Sequence, residues 1–75
     1  MTREELIQVL KTRWLERADA LGLKRKSGKR ESAFLEYLVG FVTAVGAFDA
    51  KLGESLHGLV FVASVRGEAE ILKDQ

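Results

Sequence analysis

The sequence contains no cysteine, which excludes disulfides and every zinc or iron–sulfur site that needs thiolate ligands. A single histidine, His57, excludes a histidine-rich metal site as well. Proline is also absent, which is unremarkable for a compact helical bundle. An excess of one charge is lacking too. Twelve basic residues stand against eleven acidic ones, for a net charge of +1 at pH 7, so global electrostatics does not argue for nucleic acid. A basic, apolar leader is missing: "MTREELIQVL" puts acids where a signal peptide needs a basic start and an apolar run. With the absence of cysteine, this sets the expectation of a cytoplasmic protein.

What is present is an ordinary globular mixture, 47% hydrophobic and 31% charged over 75 residues. That length allows one small domain at most. Such chains bury only about 60% of their unfolded surface, so stability is often marginal. Small scaffolds are usually reinforced by disulfides, a structural metal or oligomerisation. Without cysteine, and with one histidine, self-association is the reinforcement left.

The expected fold is all-α, a three-helix domain over residues 1–75 with helices at about 2–21, 29–52 and 55–72. Thr2 followed by Glu5 is a capping box. Ile7, Leu10, Trp14, Ala18 and Leu21 then recur at helical spacing, with Leu6 widening the stripe. Trp14 on that stripe reads as a core residue. Gly22 offers the left-handed residue that ends a helix, and Leu23 the apolar residue that folds back on it.

In the second segment Phe34, Leu38, Phe41, Val45, Phe48 and Leu52 are spaced 4-3-4-3-4, a heptad-like seam. Beside it run Ala33, Tyr37, Gly40, Ala44 and Ala47, leaving only a narrow polar strip of Ser32, Glu36 and Thr43. A helix apolar over most of its circumference is buried from several sides, which makes this the central helix. A membrane span is not expected, because the run from Phe34 to Phe48 contains Glu36 and falls short of the roughly 20 residues a bilayer needs. Gly40 and Gly46 within the helix each cost about 1 kcal/mol relative to alanine. Close approach of another backbone, in the same chain or a second one, would explain them. The row Ala33, Gly40, Ala44 and Ala47 is the candidate oligomer interface.

Gly53 reads as the stop of the second helix and Ser55 as the cap of the third. Gly58, Val62, Val65, Ala69 and Leu72 keep a 4-3-4-3 spacing, broadened by Phe61 and Ile71. The run "LVFVASV" is rich in β-branched and aromatic residues and would also suit a short strand. A lone strand would have nothing to pair with, so helix is preferred. Arg66, Glu68, Glu70, Lys73 and Asp74 read as a mixed, fraying C-terminus.

Chemistry is sparse. His57 is the only good general base near neutral pH, and its neighbours Glu54 and Ser55 make no triad by adjacency alone. A structural or solvent-exposed histidine is the better reading. Glu36, on the polar strip, is the carboxylate expected to be partly buried, with Arg13 or Arg17 as its partner. No metal-spaced carboxylates and no phosphate loop are found, so no catalytic, cofactor or metal residue is assigned and an enzyme is not expected.

The one uneven feature is "LGLKRKSGKRES". It holds Lys24, Arg25, Lys26, Lys29 and Arg30, leaving seven basic residues against eleven acidic ones elsewhere. Five cations could release counterions from a phosphate backbone. The stretch lacks interleaved aromatics for stacking bases, and it presents no helix as a groove reader. Cations at the end of the first helix also suit its dipole. A solvated turn is preferred, and contact with an acidic partner or nucleic acid is the rival.

The runs "KRESAFLEYLVGFVTAVGA" and "LVFVASVRGEAE" resemble segments of short uncharacterised proteins of bacteriophages and prophage regions. Those share a basic turn, an alanine- and glycine-rich apolar helix, and a valine-rich segment ending as Ser64 to Gly67 does here. The resemblance spans roughly residues 24–70 and implies no activity or cofactor. It implies a small accessory protein that works by binding. The expected function is thus a self-associating helical interaction module with a further protein partner in reach. The alternative is a nucleic-acid-binding accessory protein using the turn 24–30.

Overall fold

A computed structural model describes residues 1–73, and every regular element among them is helical: α1 (Arg3–Ala20), α2 (Gly28–Phe48), α3 (Ala50–Arg66) and α4 (Glu68–Leu72). The all-α expectation holds, with three long helices and a short fourth. Asp74, expected in a mixed C-terminus, lies outside the described residues.

The start and end of α1 follow from local chemistry. The Thr2 hydroxyl accepts from the Glu5 N–H at 3.2 Å, and the Thr2 N–H donates to Glu5 Oε1 at 3.3 Å. Hydrogen bonds donated to its carboxylate by the Thr2 backbone N–H and, at 3.1 Å, by the Thr2 hydroxyl hold the Glu5 carboxyl below its ordinary pKa. At the other end Gly22 takes φ +67°. The Leu23 N–H reaches the Ala18 carbonyl at 3.0 Å and the Gly22 N–H reaches that of Asp19 at 3.1 Å, which is the Schellman motif. Leu23 packs back against the core as expected, while Leu21, placed on the core stripe by its spacing, is 55% exposed.

The turn between α2 and α3 departs from the sequence reading. Asp49, not Gly53, separates the helices, and α2 stops at Phe48 rather than near residue 52. The Asp49 N–H closes the last turn of α2 on Val45 O at 2.8 Å. Its carboxylate then caps α3 by accepting from the Leu52 N–H at 3.1 Å. A single extended residue with a capping carboxylate is enough to turn the chain. Gly53 lies inside α3, and Ser55, expected as the cap, instead bonds back to Leu52 O at 2.9 Å.

Gly53 is needed for contact instead. A Cβ there would lie 2.5 Å from Gly46 Cα and 2.8 Å from Gly46 N. The close backbone approach inferred for Gly46 is therefore real, and it is made within one chain. Gly40 has nothing within 4 Å of a built Cβ.

From Asp49, α3 runs back along α2, so that Glu68 just beyond its end meets Arg30 near the start of α2. Against this pair packs α1, with the Trp14 ring 5.2 Å from Phe34 and 5.5 Å from Tyr37. The core consists of Leu6, Leu10, Trp14 and Ala18 from α1, Phe34, Leu38 and Val42 from α2, Leu56 from α3 and Ile71 from α4. Each large side chain among them contributes about 1.5–3 kcal/mol by leaving water. The seam foreseen on α2 is correct for Phe34, Leu38, Phe41 and Val45, but Phe48 is 95% exposed. It is the last residue of α2, at the rim of the turn.

The run "LVFVASV" is helical throughout, since docking on α2 outweighs β-propensity. Of the face expected there, Val62, Ile71 and Leu72 do pack on the core, but the rest was misassigned. Leu52, Gly53, Leu56, Leu59, Val60 and Ala63 turn inward or are partly covered, while Gly58, Phe61, Val65 and Ala69 are exposed. Gly67, at φ +82° and ψ −176°, breaks the expected helix 55–72 in two. That backbone region is essentially open to glycine alone.

Candidate functional site

Two surfaces carry the residues singled out in the sequence. The first is the outer face of α2. Gly40, Ala44 and Ala47 are exposed there together, whereas Ala33 is partly covered and packs against the core. Gly40, Ala44 and Phe48 follow one another at i, i+4 spacing, so they form one stripe along the helix. The stripe runs into a shallow apolar groove of about 390 Å³ at the α2–α3 turn, whose walls include Met1, Leu6, Phe41, Val45 and Leu52. By length and composition alone α2 also meets the measure of a membrane-crossing helix, which the run Phe34–Phe48 by itself did not. In this fold its other face supplies Phe34, Leu38 and Val42 to the core.

The second surface is the basic turn, and the fold divides its five cations. Arg30 is buried and committed to Glu68. Its Nε lies 3.0 Å from both carboxylate oxygens, its Nη2 donates to Oε1 at 2.7 Å, and its Nη1 donates to Leu23 O at 3.3 Å. The hydrogen bonds it donates to Glu68 raise the Arg30 pKa above its already high ordinary value. Trp14 Nε1 donates to the same carboxylate at 2.9 Å. One largely covered carboxylate thus ties α1, α2 and α4 together, and Arg30 is withdrawn from any anionic partner.

The remaining four cations of the turn are exposed. Arg25 and Lys26 line an open cleft of about 380 Å³, whose opposite wall is the α3–α4 junction with Arg66, Gly67 and Lys73. Lys24 and Lys29 are not among its lining residues. Beside the cleft, Glu70 accepts from Lys73 Nζ at 2.9 Å and lies 3.8 Å from Arg66. The hydrogen bond from Lys73, aided by its charge, lowers the Glu70 pKa.

The carboxylate expected to be partly buried was Glu36. It is exposed, two positions out of step with Phe34 and Leu38, and the residue in that role is Glu68. Nothing local marks Glu68. Only the Gly67 break and the return of α3 bring it to Arg30. His57, expected at a helix start, stands exposed in the middle of α3. Among the described residues no group of three or more histidine, aspartate or glutamate side chains is placed to hold a metal ion.

In comparison with known proteins, no family model, no curated protein and no solved structure matches the chain. Function is therefore read from these two surfaces.

Proposed function

We propose that this chain is a small helical interaction module that associates with a second copy of itself through the outer face of α2. One observation carries the reading: Phe48 stands 95% exposed on the same stripe as Ala44 and Gly40, and none of the described residues fills the space over Gly40. A two-fold axis at Ala44 would lay two α2 helices antiparallel and set each Phe48 over the other copy's Gly40. Such a contact is self-complementary, as a two-fold interface must be. It also explains why a helix interior tolerates glycine at a cost of about 1 kcal/mol. The groove beside Phe48 extends the apolar area available to the second copy.

Chain length favours the same occupant. A core of nine buried apolar side chains, without a disulfide, gains from burying a further face. On this reading the protein works by binding rather than catalysis, in the cytoplasm and without lipid contact, as an accessory protein of the phage or bacterial kind its sequence resembles.

Light scattering on a sizing column tests it. The wild type is expected at twice the chain mass of 8.3 kDa or above, independent of salt. Gly40→Leu or Ala44→Leu is expected to elute at the chain mass with an unchanged helical circular dichroism spectrum. A wild type that is monomeric at every concentration, or a folded variant of unaltered mass, would sink the interface.

A further inference from the structure

The cleft between the basic turn and the α3–α4 junction has no part in that interface, and we propose that it binds a compact polyanion of the phosphate class, of about the size of pyrophosphate. Besides Arg30 and Lys73, which Glu68 and Glu70 hold, three further cations converge on it from two distant stretches of the chain: Arg25 and Lys26 from the turn, and Arg66 from the last residue of α3. Arg25 and Lys26 close no ion pair among the described residues, and Arg66 has only a 3.8 Å approach to Glu70, which Lys73 already holds at 2.9 Å. The opposing charge on the lining is Glu31, because the other lining carboxylate, Glu68, is spent on Arg30. A positive surplus is therefore left facing a concavity rather than open solvent. Concave walls of low polarisability strengthen such a field.

The walls are built, not incidental. The Arg30–Glu68 ion pair, with side chains 7% and 15% exposed, clamps the start of α4 against the start of α2. Gly67, at φ +82°, makes the bend that leaves Arg66 on the rim. Arginine is suited to phosphate oxygens because its planar fork donates two parallel hydrogen bonds.

Size and lining select the ligand class. About 380 Å³ is near the lower end of the roughly 300–1,000 Å³ found for small-molecule sites. No aromatic side chain lines it, so a nucleobase would find no stacking platform. Lys24 and Lys29, which an extended phosphate backbone would also engage, lie outside it.

The test is calorimetric titration of the full-length protein with sodium pyrophosphate and, separately, with a short DNA duplex, each at low and moderate salt. Arg25→Gln and Arg66→Gln remove charge from the cleft; Lys24→Gln and Lys29→Gln remove the same charge outside it. All four side chains are exposed, and circular dichroism checks that each variant is folded. Pyrophosphate is expected to bind, with a loss of roughly tenfold or more for each cleft variant and less than about twofold for each outside variant. Arg66→Gln is the decisive variant, since Arg66 is far from the turn in sequence. The proposal is overturned by an absence of pyrophosphate binding. It is equally overturned by equal losses from the cleft and outside variants, which would mean diffuse attraction to the turn. Tighter binding of the duplex, weakened alike by all four substitutions, would assign the turn to nucleic acid instead.

Discussion

Glu68 joins three helices through one side chain. Its carboxylate receives Arg30 and Trp14 together, and among the described residues no buried side-chain polar atom lacks a partner. Removing one member of a buried pair strands the other charge, at about 3–5 kcal/mol. For so small a core that is most of the expected stability. Glu68→Ala is therefore expected to lower the unfolding midpoint sharply and leave a barely stable fold, whereas Glu70→Ala, in a more exposed pair, should change stability by no more than about 0.5 kcal/mol. Urea titration followed by Trp14 fluorescence reads both, because Trp14 is the only tryptophan. A Glu68→Ala protein with a wild-type midpoint would show that the clamp is dispensable. The pair was not legible in the sequence, since its members are 38 residues apart and neither sits in a pattern that points to the other.

At the level of elements, the helices themselves were legible and their joints only partly so. Capping boxes and Schellman motifs are closed by residues within one turn of each other, which is why α1 was bounded within a residue. The α2–α3 joint misled because glycine has two uses, ending helices and allowing them to touch. Gly53 has the second use, Asp49 does the ending, and the difference depends on Gly46 lying opposite. Two alanine substitutions in α3 separate these cases. Gly53→Ala forces a methyl group onto the Gly46 backbone and should destabilise by about 1–3 kcal/mol. Gly58→Ala meets open space and should stabilise by about 0.5–1 kcal/mol through helix propensity. Thermal or urea unfolding of the two variants checks the signs; effects of the same sign would contradict the close contact.

The whole molecule, about 33 × 24 × 24 Å, presents two surfaces of opposite physical character. The α2 face is apolar, so association through it should be nearly insensitive to salt. It should also make the melting temperature rise with protein concentration, because mass action favours the folded dimer. Gly40→Leu should abolish that dependence. A wild-type melting temperature that is constant across a wide concentration range would count against self-association. The anion cleft should behave oppositely, losing affinity as salt screens its exposed cations.

Of the interface residues named from the sequence, Gly40, Ala44 and Ala47 emerge on one exposed face, because helical periodicity is enough to group residues on a stripe. It cannot tell how much of a stripe a neighbour covers, and so Ala33 is partly covered where the rest of its row is exposed, and Phe48 was placed in the core. By itself the sequence determined helix content, the ends of α1 and most of the inner stripes of α1 and α2, though not Val42, since caps and periodicity act over a few residues. Tertiary structure alone decided the rotation of α3, the role of Gly53 and the Arg30–Glu68 clamp. It also decided the meeting of Arg25 and Lys26 with Arg66. Each of these depends on how helices far apart in the chain pack, and no local pattern encodes that.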